Sequence, residues 1–299
     1  MKKFIVVTGG AGFVGSNLIE YLINKTNHLI ISIDNYSSGN KKNHIISNRI
    51  KYINSETTKI EKILNKYKKK ILVLFHFGEF SRIYQSFLNF NLCFNSNSIG
   101  SKAVFNFCLV NKIKLIYSAT SASLGNKGND KNLSPYAFTK SENLELLENL
   151  KKWFNFKYEI IYFYNVYGPR QICKGDMATV VGIFEDHYIN NKKLPVVRPG
   201  NQTRRFTHIY DTVKVCIEAW KNNKNRHYSI SHKKSFSIVD LAKMFKKDYK
   251  FLPSRLGERY ASALNTMNLN NKIYKRYGKI SLKLYVDNFI KKHNYKKKK

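Results

Sequence analysis

A tyrosine and a lysine four positions apart, Tyr136 and Lys140, have types and spacing that could do chemistry. Ser134 is a suitable helix N-cap and Pro135 a suitable first helical residue, so both side chains should lie on one face of a helix. A lysine ammonium beside a phenol lowers the pKa of the phenol, and a tyrosinate can act as a general base near neutral pH. The pair therefore predicts proton transfer by Tyr136, with Lys140 as its partner.

A segment rich in hydroxyl groups precedes this pair. It reads YSATSASLG at residues 117–125 and follows a predicted strand. A Thr or Ser hydroxyl at the end of that strand can share the proton that the tyrosine takes from a substrate. The chain contains 20 tyrosines, so spacing alone is weak evidence, and the hydroxyl segment supports the proton-transfer hypothesis.

A glycine loop near the N-terminus predicts a dinucleotide site. Gly9, Gly12 and Gly15 in TGGAGFVG fall between a predicted strand and a predicted helix, where glycine allows a pyrophosphate to approach the helix N-terminus. Asp34 follows at the end of the next predicted strand, where its carboxylate can accept hydrogen bonds from both hydroxyls of an adenosine ribose. Because Asp34 would repel a 2′-phosphate, the sequence favours NAD over NADP.

Predicted strands and helices alternate over about 165 residues. The predicted strands are residues 4–8, 29–33, 71–75, 115–118 and 160–164, and the first predicted helix is 16–24. Each later strand is separated from the next by enough residues for a crossover helix. This pattern predicts an α/β fold of the Rossmann type, with a doubly wound parallel sheet.

The pattern changes after Tyr167, where Gly and Pro residues separate shorter predicted strands and helices. We therefore expect an NAD-binding domain at residues 1–167 and a smaller mixed α/β substrate-binding domain at residues 168–299. A predicted strand and helix within residues 204–222 could pack back on the first domain.

Composition limits the class of protein. The chain has 299 residues, of which 43% are hydrophobic, so it can bury a substantial core. Its longest apolar runs are too short to cross a bilayer, and its N-terminus lacks the apolar region of a signal peptide. Four cysteines at irregular spacings predict reduced, buried thiols and no metal site. We expect a cytoplasmic protein without a membrane partner.

The net charge of +34 is the feature that would favour nucleic acid as a partner. The lysines, however, are spread over the whole length, and only residues 296–299 form a dense block. A solvated basic surface explains this distribution, and it would also favour small anionic substrates. Nucleic acid is therefore not the expected partner.

Several motifs together resemble the extended short-chain dehydrogenase/reductases, and within them the NAD-dependent nucleotide-sugar epimerases of the UDP-glucose 4-epimerase type. They are TGGAGFVG, Asp34, the hydroxyl segment, YAFTK at residues 136–140, NVYGPRQ at 165–171, TRRFTHIYD at 203–211 and PSRLGER at 253–259. The resemblance covers nearly the whole chain. It implies NAD as cofactor, a nucleoside diphosphate sugar as substrate, and a homodimer paired through helices near residues 88–110 and 134–154.

The resemblance also implies roles for individual residues. The implied catalytic residues are Thr120, Tyr136 and Lys140. The implied cofactor-binding residues are Gly9, Gly12, Phe13, Val14, Gly15, Asp34, Asn35, Asn97 and Ser118, together with Tyr136 and Lys140. The implied substrate-binding residues are Arg82, Asn165, Arg204, Arg255, Glu258 and Ser262. In the 4-epimerases a small residue at the place of Ser262 leaves room for an N-acetyl group on the sugar.

The chain departs from the family pattern at several positions. Ser55 stands near the place of an Asp that usually binds the adenine amine. The loop HFGEFSR at residues 76–82 replaces a more usual alanine-rich loop, and Arg205 stands where an Asp is usual. The sugar pocket is therefore not expected to be the ordinary galactose pocket.

The leading hypothesis is a 4-epimerase. Tyr136 would take the proton of the 4-hydroxyl, C4 would give hydride to NAD, and hydride would return to the other face of the 4-keto sugar. A 4,6-dehydratase is the nearest alternative, although Ser121 and Ala122 stand where elimination needs an acid. A decarboxylase, a reductase or an epimerase at another carbon remains open, because these reactions reuse the same residues. The alternative of another class is a non-catalytic NAD-binding or RNA-binding protein.

Overall fold

The structure is a computed structural model, and it describes residues 3–123, 130–257 and 276–297. Its strands are β1 (Phe4–Thr8), β2 (Leu29–Asp34), β3 (Ile50–Asn54), β4 (Ile71–His76), β5 (Lys114–Thr120), β6 (Tyr158–Phe163), β7 (Val166–Tyr167), β8 (Leu194–Val197), β9 (Thr203–Arg205), β10 (Thr207–His208), β11 (His227–Ser229), β12 (Ser235–Ser237) and β13 (Tyr249–Leu252). Its α-helices are α1 (Phe13–Lys25), α2 (Ile60–Leu64), α3 (Ile83–Leu88), α4 (Phe90–Phe94), α5 (Ser101–Val110), α6 (Pro135–Phe154), α7 (Val180–Ile189), α8 (Ile209–Lys221), α9 (Ile238–Met244) and α10 (Leu282–Lys297). A π-helical turn, Asn95–Gly100, joins α4 to α5.

Seven parallel strands form the central sheet, in the order β11-β6-β5-β4-β1-β2-β3. The chain moves outward from β1 to β3, returns to β4 beside β1, and then moves outward in the other direction. In such a sheet ligands bind beyond the carboxyl ends of the strands, at the point where the order reverses. The reversal between β1 and β4 therefore places the ends of these two strands, Thr8 and His76, at the expected binding crevice.

Both faces of the sheet are buried, because helices cover them and strands such as β1, β2, β4 and β6 contribute mostly apolar residues. One face packs α2, α5 and α6 around residues such as Phe105 and Tyr117, which are almost fully buried. The other face packs α1 and α8 around residues such as Leu18 and Val215. The predicted α/β Rossmann-type fold is confirmed.

A second lobe has a core of its own. This core contains Phe184 of α7, Val196 of β8, Leu241 of α9 and Val286 of α10, all fully buried. Two short pairings, β13 with β8 in parallel and β12 with β9 in antiparallel orientation, connect its elements. The lobe contains both helices and short strands.

The stretch at 204–222 divides between the two lobes. Helix α8 packs against α1 and β6, so it lies on the first lobe. Phe206 belongs to the core of the second lobe, and β9 pairs with β12 there. Strand β11 lies farther along the chain, yet it pairs with β6 at the edge of the central sheet. After residue 167 the chain therefore returns to the first lobe twice, in α8 and in β11.

The predicted strand starts and ends agree closely with the structure. Residues 4–8 form β1 as predicted, while β4 and β5 each run beyond the predicted residues to His76 and Thr120. All four cysteines are free thiols, but Cys173 is only half-buried because it lies in the loop before α7. Within the described ranges, no helix has the length and apolar character needed to span a membrane.

Candidate active site

One cavity of about 490 Å³ lies over the carboxyl edge of the sheet, with walls from both lobes. Fifteen of the sequence-predicted site residues line it. They are Gly9, Gly12, Phe13, Val14, Gly15, Asp34, Asn35, Arg82, Ser118, Thr120, Tyr136, Lys140, Asn165, Arg204 and Arg255. Asn97 is not among the described residues that line the cavity, and Glu258 and Ser262 lie outside the described residues.

The glycine loop passes very close to the end of β4. Gly9 has a φ of +69°, and a Cβ there would lie 2.7 Å from the carbonyl carbon of Phe77. At Gly15 a Cβ would lie 2.2 Å from the carbonyl oxygen of Gly9. Gly12, the N-cap of α1, has no side chain to satisfy the first N–H groups of the helix, and Phe13 and Val14 line the cavity. The loop can therefore present a helix N-terminus to a phosphate.

Asp34 ends β2 beside this loop. Its carboxylate accepts hydrogen bonds from the backbone N–H of Ala11 at 2.9 Å and of Tyr36 at 2.8 Å. Burial raises the pKa of Asp34, and the backbone N–H groups oppose that effect. The neighbouring Asn35 accepts a hydrogen bond from the Ser37 N–H at 3.1 Å. A carboxylate held in this way can receive the hydroxyls of a ribose.

These features fit NAD. The glycine loop is packed so closely that a Cβ at Gly9 or Gly15 would clash with backbone atoms, and Asp34 lies at the end of the neighbouring strand in the same cavity. Gly12 and the first turn of α1 would hold the pyrophosphate, Asp34 the adenosine ribose, and Lys140 the nicotinamide ribose. When bound, NAD supplies an acceptor and donor of hydride.

Helix α6 positions the proton-transfer pair. Ser134 is the N-cap, with its hydroxyl accepting from the Ala137 N–H at 3.1 Å, and Pro135 is the first helical residue, as predicted. The Tyr136 N–H donates to the Ser86 hydroxyl at 3.2 Å, which ties the start of α6 to α3. Tyr136 packs in a small apolar cluster with Phe80.

Lys140 lies one turn further along the helix and is 3% exposed. Its ammonium donates to the Ser118 carbonyl and forms an ion pair with Glu79. It also lies 4.7 Å from the centroid of the Tyr117 ring. Burial lowers the pKa of Lys140, and Glu79 opposes that effect. The contacts with a carboxylate, a carbonyl and an aromatic face all favour the charged ammonium.

Strand β5 brings the hydroxyl segment to the same place. The Thr120 hydroxyl accepts from the Ala122 N–H at 3.1 Å, so its proton remains free to orient toward a substrate oxygen. The Ser118 hydroxyl donates to the His76 carbonyl at 2.9 Å, which fixes β5 against β4. Thr120, Tyr136 and Lys140 therefore meet in one cavity, as the motif spacing predicts.

Glu79 lines the cavity with a buried side chain, and motif reasoning missed it. Ser101, Tyr117 and Asn143 donate side-chain hydrogen bonds to its carboxylate at 2.8, 3.0 and 3.3 Å, in addition to the Lys140 pair. The sequence contained one signal for it. The loop HFGEFSR, which departs from the family pattern, has a carboxylate between Gly78 and Phe80.

His76 connects the glycine loop to this network. Its Nδ1 shares a 2.7 Å hydrogen bond with the Thr8 hydroxyl, and its Nε2 shares a 3.0 Å bond with the Ser101 hydroxyl. Thr8 accepts from the N–H groups of Phe77 and Gly78, so it donates to His76. Complete burial lowers the pKa of His76 to about 4. The imidazole is therefore neutral at physiological pH.

Three arginines approach the cavity from the substrate side. Arg82 donates to the Met177 carbonyl and to the Ser81 carbonyl, and its Nε is a buried donor without a partner among the described residues. Arg204 donates to the Thr203 carbonyl at 2.9 Å, and Arg255 lies 5.4 Å from the centroid of the Tyr84 ring. These cations suit a phosphorylated or carboxylated substrate.

Two other predicted residues support backbone near the cavity. The Asn165 amide donates to the Arg205 carbonyl at 2.9 Å and therefore fixes β7 against β9. The fully buried Asn97 amide accepts from the Phe80 N–H at 2.7 Å and donates to the Phe80 carbonyl at 3.1 Å. Asn97 thus holds the loop that carries Glu79 and Arg82, rather than lining the cavity itself.

Comparison with known proteins places the chain in a family. The model described as the NAD dependent epimerase/dehydratase family matches residues 5–231. The chain is 30% identical over 262 residues to the ADP-L-glycero-D-manno-heptose-6-epimerase of Brachyspira hyodysenteriae, covering 82% of this chain and 81% of that protein.

Solved structures are similar over nearly the whole chain. The UDP-glucose 4-epimerase of Thermotoga maritima, solved with UDP-glucose, superposes with a TM-score of 0.87 at 23% identity, over 99% of this chain and 100% of that chain. The UDP-N-acetylglucosamine 4-epimerase of Methanobrevibacter ruminantium M1, in complex with UDP-N-acetylmuramic acid, superposes with a TM-score of 0.85 at 27% identity, over 97% and 98%.

The family model spans most of the chain, and the glycine loop, Asp34 and the Tyr136–Lys140 pair converge on one cavity within that span. The family description names NAD, and the glycine loop and Asp34 in this cavity fit that cofactor. The protein belongs to the NAD-dependent epimerase/dehydratase family, and it is an enzyme that uses NAD.

Proposed function

We propose that the protein is an NAD-dependent epimerase of a nucleoside diphosphate sugar and that it inverts C4 of a UDP-sugar. The observation that supports this most directly is the meeting of Thr120, Tyr136 and Lys140 with the glycine loop in one cavity. A cofactor site alone would suit many reactions. A proton-transfer group beside the expected nicotinamide position suits oxidation of a sugar hydroxyl.

The reacting proton is handled by this chain's own side chains. The Tyr136 phenolate takes the proton of the 4-hydroxyl as that carbon is oxidised, and it returns the proton when the 4-keto sugar is reduced. Thr120, whose oxygen already accepts from the Ala122 N–H, keeps its proton and donates a hydrogen bond to the same sugar oxygen. Lys140 stabilises the phenolate by its positive charge.

The substrate's diphosphate would lie against the arginines on the opposite wall. Arg204 is 9% exposed and lines the cavity with Arg255. Arginine forms bidentate hydrogen bonds with phosphate oxygens, and this chain is otherwise rich in lysine. Glu258, in the same motif as Arg255, is proposed for the uridine ribose, and Asn165 for a sugar-nucleotide contact.

An N-acetyl sugar is the proposed substrate within this class. The small Ser262, which lies outside the described residues, matches the family position that leaves room beside C2 of the sugar. Similarity to a UDP-N-acetylglucosamine 4-epimerase at 27% identity supports this choice. Arg82, with its buried Nε, is a proposed sugar contact.

Elimination to a 4-keto-6-deoxy sugar is the nearest alternative. It needs an acid directly after the catalytic threonine, and Ser121 and Ala122 occupy these places. The carboxylate nearest to Lys140 belongs to Glu79, and it is engaged by four donors. A free carboxylic acid for elimination is therefore missing from this part of the described site.

We propose a homodimer as the working form. Apolar side chains are exposed on the outer surfaces of two neighbouring helical regions; they include Leu88, Phe90, Val110, Phe138 and Trp153. They lie in the helices that the family resemblance implies as the dimer contact. Size-exclusion chromatography with light scattering tests this proposal, and a strictly monomeric protein would contradict it.

A substrate panel tests the proposed reaction. Purified protein is incubated with UDP-, GDP-, ADP- and dTDP-linked sugars, and the products are separated by chromatography. We expect the C4 epimer of a UDP-sugar, with no loss of water from the substrate. A dehydrated product, or epimerisation at another carbon, would assign the protein to a different reaction of the same family.

A further inference from the structure

Glu79 is held more firmly than a surface carboxylate, although it lies in a loop. Its side chain is 2% exposed. Ser101 of α5, Tyr117 of β5 and Asn143 of α6 all donate hydrogen bonds to its Oε1, and Lys140 pairs with its Oε2. Side chains from α5, β5 and α6 therefore converge on one carboxylate.

Burial of the Glu79–Lys140 ion pair costs free energy, so a contribution to stability does not by itself explain why the pair is there. Moving a carboxylate and an ammonium out of water is unfavourable, and a buried ion pair is often no more stable than apolar residues of equal volume. The surrounding residues offered an apolar solution, because Phe80, Cys93 and Ala137 pack beside this loop. The retained ion pair therefore points to a role in the chemistry of Lys140.

The other titratable groups of this cluster are neutral near pH 7. Burial lowers the pKa of His76 to about 4 and raises the pKa of Cys93 to about 11. Burial and the Glu79 charge raise the pKa of Tyr117 well above its ordinary value. The charges that face Lys140 and Tyr136 at this side of the described site are thus Glu79 and the guanidinium of Arg82, which interacts with Tyr136.

In the proposed function Tyr136 and Lys140 titrate as a coupled pair. With one proton removed, the pair is either a tyrosinate with an ammonium or a phenol with a neutral amine. Both forms bind the same number of protons, but only the tyrosinate can take a proton from a substrate. Glu79 touches the ammonium directly, so it stabilises the ammonium more than it destabilises the tyrosinate.

We propose that Glu79 is a positioning residue that keeps the shared proton on Lys140 rather than on Tyr136. The proposal rests on the proposed function, in which Tyr136 is the base. It also accounts for the departure of HFGEFSR from an alanine-rich loop, because an alanine at residue 79 would leave the buried ammonium without its counter-ion.

Replacing Glu79 by Gln has two effects with opposite consequences for the rate. Removing a negative charge lowers the pH at which the Tyr136–Lys140 pair loses its first proton, so the acidic limb of the rate profile moves to lower pH. The remaining proton also shifts toward Tyr136, so the rate on the plateau falls. A residue that merely supports the fold would lower the rate without moving the limb.

The experiment uses the NAD-loaded protein and compares Glu79→Gln, Glu79→Ala and Glu79→Asp with the parent. One readout is kcat against pH. The other is the ultraviolet absorbance of tyrosinate against pH, taken as the difference between each protein and its own Tyr136→Phe derivative. Ser101→Ala is the matched control, since it removes one donor to Glu79 and leaves the charge in place.

We expect the Gln and Ala variants to lower the acidic limb of kcat by about one pH unit and the plateau rate about 10-fold. On that plateau the tyrosinate absorbance should fall by a similar factor, with the remainder appearing only at higher pH, because the proton left in the pair then lies mainly on Tyr136. Glu79→Asp and Ser101→Ala should leave the tyrosinate titration close to that of the parent. A tyrosinate titration in folded Gln or Ala variants that keeps the parent's absorbance at the pH of the plateau would overturn the proposal. The absorbance titration needs no substrate, so it remains decisive even if the parent proves inactive as an epimerase.

Discussion

The backbone N–H of Ala11 donates a 2.9 Å hydrogen bond to the carboxylate of Asp34. This bond connects the glycine loop after β1 to the end of β2, so the pyrophosphate cradle and the ribose acceptor form one rigid unit. Tyr36 donates to the other carboxylate oxygen at 2.8 Å. Asp34 therefore has its position fixed from both sides before any ligand arrives.

Asp34→Ala should weaken NAD binding about 10- to 100-fold, because a charge-assisted hydrogen bond contributes roughly 1.5–3 kcal/mol. Titration calorimetry of cofactor-free protein measures this loss, and the exposed Glu61→Ala provides the control. Protein released by denaturation should yield NAD with little NADP. Recovery of mainly NADP, or unchanged affinity in the Asp34 variant, would remove Asp34 as the ribose acceptor.

Tyr136→Phe should lower turnover by at least two orders of magnitude, because it removes only the oxygen that performs acid–base catalysis. The fold and the NAD content should remain, since the Tyr136 backbone and not its hydroxyl contacts Ser86. Lys140→Met should be similarly damaging. The exposed Tyr210→Phe is a suitable control for the loss of a phenol.

Turnover and cofactor content of these variants should be measured together. A Tyr136→Phe protein with NAD bound and activity within a few-fold of the parent would mean that another group is the base. Loss of NAD along with activity would instead indicate that the substitution had disturbed the cofactor site.

The pKa of the buried His76, lowered to about 4 from 6.5, predicts acid sensitivity. Between these values the unfolded chain binds a proton at this residue and the folded chain does not, so the free energy of unfolding falls as the pH falls. The full loss from this group is about 3 kcal/mol. Its contribution to stability is fully present above about pH 6.5.

His76→Gln, which retains a donor and an acceptor for Thr8 and Ser101, should flatten this dependence. Urea unfolding of parent and variant at several pH values between about 4 and 7 makes the comparison. Identical slopes for the two proteins would show that another group causes the acid sensitivity.

Ser262→Tyr should lower turnover of UDP-N-acetylglucosamine far more than turnover of UDP-glucose. A large side chain beside C2 would exclude the N-acetyl group and leave the smaller sugar nearly unaffected. Steady-state kinetics on both substrates give the comparison. Equal losses on the two sugars, or a parent that rejects N-acetyl sugars, would remove Ser262 as the determinant of sugar size.

The fold was largely predictable because its signals are local. Apolar runs define β1, β2, β4, β5 and β6, and the glycine loop and Ser134 mark where α1 and α6 begin. Strands β3 and β11 were missed. Strand β3 is interrupted by exposed residues at Lys51 and Asn54, and β11 has only three residues. Neither strand therefore has a strong apolar run.

The candidate site was predictable where a motif fixes both residue type and element, as for Tyr136 and Lys140 on α6. It was not predictable where partners come together only in three dimensions. Glu79 meets Lys140 across 61 residues of sequence, and no periodicity connects them. Glu56 is a different case: Ser55 stands near the place of the carboxylate that binds adenine in the family, but Glu56, the next residue, lines the cavity.

In the proposed reaction, C4 of a nucleoside diphosphate sugar is oxidised and reduced again at the same carbon. Incubation of the parent protein with UDP-glucose and UDP-N-acetylglucosamine, each deuterated at C4, reports on this step. We expect the C4 epimer, with deuterium still on C4 at the end of the reaction. Deuterium on C6 of a 4-keto-6-deoxy product, or its loss to solvent with no C4 epimer formed, would contradict it.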